Sequence, residues 1–418
     1  MRMRKKRLCA GCRNPLPAPF LDLGEFPPAH SYTQPCASET EELRAPLAIA
    51  FCPACYLVQL THIVPPQQML LSHPYFSPFA ESYHRHTKTM ADELCGRFQL
   101  GRQSTVVEIG GRDGYLLQYL LQRNVRVLGI DPAESEAAGR RGIPTRTRFF
   151  KPDLLPELEQ EDGKVDLIIG NNVLAHLPGI NALLSAVHGA LGSNGHAVFE
   201  IPYVLDLLER NEYDTIYHQQ VYYYSLSALK RLVERACLHL VDVSHEKVHG
   251  GTLRVCLAKY AAAQPSAAVE AMLLAERAAG LLTPERYSLL RSAVEKQKAE
   301  FTGLLRRLRG VPKTVAAYGA PATGNTLLNA CGIDNRLIDF TVDENEHKQG
   351  LLLPGSRIPI LAPEALLERQ PDYAVVLQWH LAAEIMQQQA EYVRRGGRFI
   401  LPIPSPRILG ADELPEAA

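Results

Sequence analysis

The sequence predicts an α/β fold with a doubly wound, mostly parallel sheet at its centre, a small metal-binding domain before it and a second α/β domain after it. Between about 104 and 258, short apolar runs alternate with helical stretches, as a parallel sheet requires. Two Cys-x2-Cys pairs lie near the start, and a second strand, glycine turn and helix begin near residue 314. A chain of 418 residues is long enough to give each domain its own core.

The overall composition excludes several classes of function. The formal net charge is −1, so the chain carries no basic footprint for nucleic acid. No apolar run approaches the length of a membrane span, and the basic start MRMRKKR is not followed by the apolar segment of a signal peptide. Nine cysteines, an odd number scattered along the chain, disfavour a disulfide framework. We therefore expect a cytoplasmic protein with neither nucleic acid nor membrane as a partner.

The first domain is predicted to fold around a metal ion. Cys9 and Cys12 form one pair and Cys52 and Cys55 the other, in a proline-rich segment with little apolar surface to bury. Four thiolates in two such pairs are the ligands of a tetrahedral structural zinc. A redox-active pair would need a thioredoxin-like context, which the sequence lacks. Because closed coordination leaves no position for a substrate, we expect the zinc to stabilise the fold.

Residues 105–131 carry the strongest functional signal. An apolar run ends in an acid, a glycine turn and a leucine-rich helix follow, and the next strand ends in a second acid. This unit binds a nucleoside through close backbone approach and the ribose hydroxyls. The turn reads E-x-G-x-x-x-G, which suits S-adenosylmethionine (SAM) better than a dinucleotide, because SAM has no pyrophosphate. With the polar residues after the fourth strand, the predicted cofactor-binding residues are Glu108, Gly110, Gly111, Gly114, Asp131, Asn171 and Asn172.

The alternation of strands and helices also predicts the domain boundaries. A helical lead-in precedes the sheet, and a stretch rich in Ala, Leu, Glu and Arg follows it as a helical bridge. We expect a zinc-binding domain over 1–62, the SAM-binding domain with its lead-in over 63–258, the bridge over 259–310, a Rossmann-like domain over 311–406 and a tail over 407–418.

The last domain repeats the strand, glycine turn, helix and strand pattern. Gly319 and Gly324 lie in the turn, and Asp343 ends the next strand. Two interpretations are equally compatible with this pattern. It is either a second nucleotide-binding site or a Rossmann-like domain that serves as a wall and lid.

Polar residues follow the strands at the predicted ligand crevice. Because the carboxyl ends of the strands form the crevice of a doubly wound sheet, His176 of the NNVLAHLPG segment lies near it, although a lone histidine is often structural. Between the fifth and sixth strands, 217–224 is a dense aromatic and polar cluster, which is either a substrate-contacting segment or a half-buried amphipathic one. The glycine pair beside His249 indicates close backbone approach to a ligand or helix.

The order of these motifs resembles the sugar C-methyltransferase family that builds branched deoxysugars. The likeness runs from Cys9 to about Pro404 and includes FCPACYLVQL, VVEIGGRDGYLL, NNVLAHLPG, DTIYHQQVYYYS, HGGTLRV and YGAPATGNTLL. It implies a zinc-binding domain, a class I SAM methyltransferase sheet of seven strands and a C-terminal Rossmann-like domain. It also implies methylation of a carbon next to a ketone on a nucleotide-linked deoxysugar, with His176, Tyr217 and Tyr75 at polar active-site positions.

The chain departs from the family pattern in the catalytic segment. The family reads Tyr-His-Glu-His there, and its Glu and final His are the leading acid–base candidates. Gln219 and Gln220 stand in their place, and an amide cannot take a proton from carbon. Thr323 replaces the usual lysine of the second glycine turn, and Arg112 replaces the usual asparagine of the first. The scaffold and the SAM site therefore carry over, whereas the carbon-acid machinery does not.

Three functions remain open at this point. The first is a C-methyltransferase for a nucleotide sugar in which His176 or His218 replaces the missing base. The second is a methyltransferase of the same architecture acting on an already acidic carbon, an oxygen or a nitrogen of another small molecule. The third is a non-catalytic protein that binds SAM or a nucleotide. The predicted catalytic residues are His176, Tyr217, His218 and Tyr75, and the predicted substrate-binding residues are Gln219, Gln220, Tyr222 and His249.

Overall fold

A computed structural model of the chain describes residues 4–37, 42–65, 81–111, 113–133, 136–260 and 264–410. Tyr75 and Arg112, both singled out above, lie outside these ranges. The strands are β1 (Arg4–Lys5), β2 (Leu21–Phe26), β3 (Ala45–Phe51), β4 (Val58–Leu60), β5 (His62–Ile63), β6 (Thr105–Ile109), β7 (Arg126–Asp131), β8 (Thr145–Thr147), β9 (Val165–Asn171), β10 (Leu191–Pro202), β11 (Tyr222–Tyr223), β12 (His239–Glu246), β13 (Thr252–Ala258), β14 (Val315–Tyr318), β15 (Thr341–Val342), β16 (Ile360–Leu361), β17 (Tyr373–Val376), β18 (Arg398–Leu401) and β19 (Arg407–Leu409).

The α-helices are α1 (Glu81–Phe98), α2 (Leu117–Leu121), α3 (Glu136–Arg140), α4 (Leu155–Asp162), α5 (Val173–His176), α6 (Ile180–Ala190), α7 (Val204–Glu209), α8 (Leu226–Arg235), α9 (Ala267–Ala278), α10 (Pro284–Gly310), α11 (Ala322–Ala330), α12 (Ala365–Arg369), α13 (Ala382–Gln388) and α14 (Ala390–Arg394). Among the helices of the described ranges, none combines the length and the apolar character that a bilayer span needs.

The N-terminal domain is built on a four-stranded antiparallel sheet of order β11-β4-β3-β2. Strand β3, APLAIAF, is apolar almost throughout and buried along nearly all its length, as a fully buried strand should be. The edge strand β11 comes from the central domain and pairs with β4, Tyr222 opposite Gln59 and Tyr223 opposite Val58. The two domains therefore share one sheet.

The central domain contains a seven-stranded sheet of order β12-β13-β10-β9-β6-β7-β8. Strands β6 to β10 run parallel to one another, and β13 lies antiparallel between β10 and β12. The chain order reverses between β6 and β9, so the carboxyl ends of these strands open a crevice at the switch point. This topology confirms the predicted class I methyltransferase sheet.

Helix α1 covers the first glycine turn of this sheet. Its buried residues Thr87, Met90, Ala91 and Leu94 follow the spacing of a helix with one apolar face. That face packs against leucines of α2 in one apolar cluster. Tyr83 and His86, near the start of α1, border the crevice.

The C-terminal domain has a six-stranded sheet of order β16-β15-β14-β17-β18-β19, parallel except for the edge strand β19. The 27-residue helix α10 leads into it from the central domain. Direct hydrogen bonds hold this domain to the other two. The Tyr32 hydroxyl donates to the Ala320 carbonyl at 2.7 Å, and Thr326 Oγ1 donates to the Ile216 carbonyl at 2.9 Å. The three domains therefore surround the crevice together.

Candidate functional site

One cavity of about 1200 Å³ lies where the three domains meet. The N-terminal domain contributes His30 and Tyr32, and the C-terminal domain contributes Trp379 among others. The central domain contributes the glycine turn, the ends of β7 and β9, and the segment before β11. Of the residues predicted from sequence, the cavity is lined by Glu108, Gly110, Gly111, Asp131, Asn171, Asn172, His176, Tyr217, Gln219, Gln220 and His249.

The four predicted zinc ligands lie together, away from this cavity. The sulfurs of Cys9, Cys12, Cys52 and Cys55 are all within 4.8 Å of one another, and the Cys9–Cys55 and Cys12–Cys52 pairs are 3.5 Å apart. A tetrahedral zinc with Zn–S bonds of about 2.3 Å separates its sulfurs by roughly 3.8 Å. Gln59 Nε2 also donates to Cys9 Sγ at 3.0 Å. The donor set and its spacing therefore fit a structural zinc.

The first glycine turn is shaped by the carboxyl group that precedes it. Gly110 has a φ of +75°, which favours glycine. A Cβ on Gly111 would lie 2.4 Å from Glu108 Oε2, so only glycine allows the carboxyl group to fold over the turn. That oxygen is buried, and no partner for it is found among the described residues. Burial, with Asp113 and Asp131 nearby, raises the pKa of Glu108 to about 8.

Polar groups around this turn match what SAM presents. Asp131 ends β7, lines the cavity and accepts a hydrogen bond from the Ala133 amide at 2.8 Å through Oδ1. Asn171 Oδ1 is buried, and the described part of the chain offers it no hydrogen-bond donor. Asn172 adopts the left-handed conformation, with φ +59°, which turns the chain from β9 into α5. A buried acceptor at Glu108, an acid at the end of the second strand and close backbone approach fit a nucleoside with a cationic amino-acid end.

His176 lies at the end of α5, and the backbone of Gln219 orients its ring. Its Nδ1 is 2.9 Å from the Gln219 carbonyl oxygen. A carbonyl only accepts hydrogen bonds, so Nδ1 carries the proton and Nε2 has the free lone pair. Burial lowers the pKa of His176. The imidazole is therefore neutral near pH 7 and available as a proton acceptor.

Aromatic and amide side chains surround His176. The rings of Tyr217 and His176 have centroids 6.1 Å apart, and the His30 ring lies 6.5 Å from Tyr217 on the other side. Gln219 is 5% exposed, yet neither Nε2 nor Oε1 has a hydrogen-bond partner within the described ranges. The same is true of Gln220 Nε2. Buried amides without partners are costly unless a ligand pairs with them.

Three of the predicted site residues lie outside the cavity lining. Gly114 closes the turn, because its backbone N–H donates a hydrogen bond to the Gly111 carbonyl oxygen at 2.7 Å. A Cβ on Gly114 would lie 2.7 Å from the Ile143 side chain. His218 points to the N-terminal domain, where Nε2 bonds the Ala45 carbonyl oxygen at 3.1 Å, and burial lowers its pKa to about 4. We therefore do not retain His218 as a base.

Tyr222 also requires correction. Its hydroxyl accepts a hydrogen bond from the Gly179 amide at 3.2 Å, and Lys6 lies over its ring. As part of β11, it belongs to the N-terminal sheet rather than to the substrate cavity. Tyr75, the remaining catalytic prediction, lies outside the described residues.

His249 lines the cavity through an unusual backbone turn. Its φ of +53° is in the left-handed region, and two glycines follow it. The His249 ring is 5.4 Å from that of Tyr83 on α1 and 6.1 Å from that of His380 in the C-terminal domain. It therefore sits where α1 and the C-terminal domain meet the central sheet.

Two acids and the one tryptophan were missed by sequence reasoning. Trp379 Nε1 donates to Asp214 Oδ2 at 2.7 Å, across the boundary between the central and C-terminal domains. Burial raises the pKa of Asp214 to about 7. Glu212, two residues earlier, lines the cavity and is 3% exposed. The single tryptophan, three residues after the buried strand β17, stands out in the sequence, but nothing there indicates Asp214 as its partner.

A further network joins α1 to the sheet below the cavity. Glu200 Oε1, at the end of β10, is 2.8 Å from His86 Nε2 and 2.9 Å from Arg254 Nε. These two partners lower the pKa of Glu200 despite its burial. The network fixes the start of α1, where His86 borders the cavity.

The second glycine turn is closed by its own neighbours. Asp343 Oδ2 accepts from the Ala320 amide at 2.7 Å and from Lys348 Nζ at 3.1 Å, and Oδ1 accepts from the Asn345 amide at 2.9 Å. Gly319 has a φ of +90°, and a Cβ there would lie 2.7 Å from Gln378 Oε1. The acid at the end of this second strand is therefore committed to the turn itself.

Family models account for most of the chain. A zinc binding domain matches residues 9–70, a methyltransferase domain matches 83–243, and a C-methyltransferase C-terminal domain matches 247–404. The C-methyltransferase NovU of Streptomyces niveus is 37% identical over 370 residues, which is 88% of each chain.

The following solved structures each cover less than half of the chain. The magnesium protoporphyrin IX methyltransferase of Synechocystis PCC 6803 with bound SAH is 13% identical, with a TM-score of 0.36 over 46% of this chain and 93% of its own. The 1,6-didemethyltoxoflavin-N1-methyltransferase of Burkholderia thailandensis is 17% identical, with a TM-score of 0.32 over 49% of this chain and 95% of its own. Scores this low carry no argument about the acceptor.

Proposed function

Because the chain belongs to the C-methyltransferase family and is a SAM-dependent methyltransferase with a zinc-binding domain, as predicted, we propose that it methylates the carbon next to a ketone on a nucleotide-linked deoxysugar. The non-catalytic alternative is thereby set aside. The observation that carries the proposal is the hydrogen bond from His176 Nδ1 to the Gln219 carbonyl, because it leaves a neutral imidazole nitrogen free beside the cavity.

The SAM end of the cavity is formed by the first glycine turn. Bound SAM supplies an electrophilic methyl group on a sulfonium. Glu108 and Asn171 offer buried acceptors to its amino-acid end, and Asp131 offers a carboxylate to the ribose hydroxyls. The glycine turn allows the close approach that such a ligand needs.

His176 takes the proton from the acceptor carbon. The C–H bond breaks, its electron pair enters the bond to the carbonyl carbon, and negative charge moves to the carbonyl oxygen. The proton goes to His176 Nε2, because Nδ1 is already protonated and bonded to Gln219. Burial keeps the imidazole neutral before this step, since it lowers the pKa.

Tyr217 and the two amides orient the acceptor and hold its developing oxyanion. A phenol donates a hydrogen bond well but is a poor base at its ordinary pKa. Gln219 and Gln220 each have a buried amide nitrogen without a partner in the described chain. Donors held in place before the reaction stabilise the developing charge without having to reorganise, and residues of all three domains line the cavity in which they lie. A cytoplasmic location is part of the same proposal.

One observation favours a second candidate. Gln219 presents both an amide nitrogen and an amide oxygen, and neither can act as a base. A site lined by neutral amides suits an acceptor that is already acidic or already nucleophilic, such as a carbon between two carbonyls, an oxygen or a nitrogen. Such an acceptor needs positioning rather than a strong base.

A two-part assay separates the candidates. The protein is incubated with SAM and a thymidine diphosphate 4-keto-6-deoxyhexose, and the product is examined for a new carbon–methyl bond. In parallel, the sugar is incubated in deuterated water with S-adenosylhomocysteine, and deuterium at the carbon next to the ketone is measured. We expect both methylation and exchange. Absence of both contradicts the sugar acceptor, whereas methylation of another acceptor without exchange supports the second candidate.

A further inference from the structure

Glu212 is a buried acid in the cavity wall for which the reaction above has no role. It lies between α7 and the 3-10 turn Tyr213–Thr215, and its backbone amide bonds the Leu207 carbonyl at 3.0 Å. The side chain lines the cavity and is 3% exposed. Its Oε1 is fully buried, and no hydrogen-bond partner for it exists in the described part of the chain.

The surroundings of Glu212 are unfavourable to a negative charge. Its nearest cation is Arg210, whose Nη1 is 3.7 Å from Oε1, but this guanidinium is half exposed and also pairs with Asp206. A second buried acid, Asp214, lies two residues away. Gly250 packs directly over the carboxyl group, since a Cβ there would be 3.1 Å from Glu212 Oε2. No described group donates a hydrogen bond to offset the burial.

The neighbouring acid shows which of the two is the more easily ionised. Asp214 accepts a hydrogen bond from the indole N–H of Trp379, whereas Glu212 Oε1 accepts no hydrogen bond within the described residues. Burial, then Asp214 and Asp206, raise the pKa of Glu212 to about 9, and Arg210 opposes them only partly. The pKa of Asp214 is raised to about 7. Glu212 is therefore the member that keeps its proton at neutral pH.

We propose that Glu212 acts as a protonated carboxylic acid that donates a hydrogen bond to the carbonyl oxygen of the acceptor, and so stabilises the oxyanion that forms when the neighbouring carbon loses its proton. This inference rests on the proposed function. It assigns a catalytic donor in a cavity whose other candidates, Tyr217 and the glutamines, are weaker acids. A carboxylic acid kept neutral by its site can fill this role.

The proton movements balance with His176 as the base. As the C–H bond breaks, its proton goes to His176 Nε2 and its electron pair forms the carbon–carbon double bond. The carbonyl oxygen gains the charge and is stabilised by the Glu212 proton. When the enolate carbon takes the methyl group, the carbon–methyl bond forms and the methyl–sulfur bond breaks, with its electron pair left on the sulfur. The carbonyl is restored, Glu212 retains its proton, and His176 releases the abstracted proton to solvent.

Two substitutions test the role of the proton. Glu212→Gln keeps a neutral donor of the same shape, and Glu212→Ala removes it. We expect methyl transfer to fall by about 10²–10³-fold in the alanine variant and by less in the glutamine variant, with SAM affinity unchanged in both. Glu209→Gln is the matched control, since Glu209 is an exposed acid at the end of α7. Equal turnover in the alanine variant and the wild type overturns the proposal.

The pH profile and an infrared measurement distinguish donation from packing. Wild-type turnover should decline as the pH rises through about 9, where Glu212 loses its proton. This decline should be absent from Glu212→Gln. If Glu212 served only for packing, turnover of the variant would still fall at high pH, and that result would overturn the proposal. At pH 7.5, infrared difference spectra between these two proteins should show the carbonyl band of a protonated carboxyl group. If the wild type leaves the keto sugar unchanged, the proposed function fails, while absence of this band separately overturns the assignment of Glu212.

Discussion

The two glycine turns of this protein have the same sequence pattern but different chemistry. In the first, Glu108 keeps a buried oxygen without a partner among the described residues, and Asp131 lines the cavity. In the second, Asp343 accepts from two backbone amides and from Lys348. The acid that could hold a ribose in the second turn is occupied in holding its own loop. Strand, glycine turn, helix and acid therefore define a fold, whereas the partners of the acid decide whether it can bind a ligand.

This comparison supports one of the two interpretations left open by the sequence. The second unit still borders the cavity, because Gly319, Thr323, Asp343 and Trp379 also line it, so the contrast lies in the partners of the two acids and not in their access to the cavity. However, its glycine turn is filled on one side by Gln378. We therefore favour its role as a wall and lid for the first unit, and the following variants test the contrast between the two.

The largest effect is expected in the first unit, at His176. Base removal typically costs about 10²–10⁴-fold in rate, so His176→Ala should lose most methyl transfer while binding SAM nearly as well as the wild type. Gln219→Ala should be milder than His176→Ala, because the amide is one of several donors to the oxyanion and is not the base. His188→Ala is the control, because His188 is a half-buried histidine of α6 that does not line the cavity. A fully active His176→Ala protein that also catalyses no deuterium exchange would show that the acceptor needs no base.

A smaller effect is expected when the acid after the first turn is removed. Losing hydrogen bonds to a charged acceptor costs about 1.5–3 kcal/mol, so Asp131→Ala should weaken SAM binding about ten- to a hundredfold. Isothermal titration calorimetry measures the affinity. Equal affinity in the two proteins would place the ribose elsewhere and remove the contrast between the turns.

The matching change in the second unit should alter stability instead of affinity. Asp343→Ala leaves the amides of Ala320 and Asn345 without their acceptor, at a cost of about 1–3 kcal/mol each when buried. We expect a lower melting temperature and an unchanged dissociation constant for SAM. A clear loss of SAM affinity at constant stability would indicate that the second turn binds the nucleoside, contrary to our interpretation.

The smallest effect is a release of protons on cofactor binding. The pKa of Glu108 is raised to about 8, so near pH 7 the carboxyl group is largely protonated in the free protein. A cationic ligand favours the ionised form, so SAM binding should release up to one proton, most visibly at pH values a unit or more below 8, where the free carboxyl group is almost fully protonated. Calorimetry in buffers of different ionisation enthalpy measures this number. Glu108→Gln should abolish the release, and release that persists in that variant would assign it to another group.

The raised pKa of Glu108 also makes the free energy of unfolding depend on pH, in the opposite sense to that of an acid paired with a cation. Glu108 binds its proton more tightly in the folded chain than in the unfolded one, so the folded state holds more protons between about 4.5 and about 8. Its contribution to stability is present at low pH and is lost as the pH rises through this window. Burial is the main cause of the raised pKa of Glu108, and the charges of Asp113 and Asp131 add to it.

The central sheet could be predicted because its signals are long and regular. Strands such as VVEIG and RVLGID are apolar runs of ordinary length, and the acids at or near their ends, Glu108 and Asp131, follow from the pattern. The zinc ligands were equally accessible, since Cys9, Cys12, Cys52 and Cys55 have a spacing specific to one chemistry. In both cases the information lies in residues close together in the sequence.

The contacts that were not predictable depend on which way a side chain points within a short irregular segment. Tyr217 and Gln219 line the cavity, yet His218 between them bonds the Ala45 carbonyl in another domain. Three residues of an irregular turn are too few for a periodic pattern, so the sequence does not show which of their side chains face the cavity. The pairing of Trp379 with Asp214 joins residues far apart in the chain, so propensity and spacing carry no information about it.

The two-residue strand β11 has a consequence for the way such proteins can recombine. Tyr222 and Tyr223 complete the sheet of the N-terminal domain, directly after the segment that carries Tyr217 and Gln219. A chimera that exchanged the N-terminal domain at a boundary near residue 62 would leave that sheet with a foreign edge strand. Poor pairing of this strand would displace the adjoining segment that carries Tyr217 and Gln219. A transplantable N-terminal module therefore includes Tyr222–Tyr223, although residues 63–221 separate this strand from the rest of the N-terminal domain in the chain.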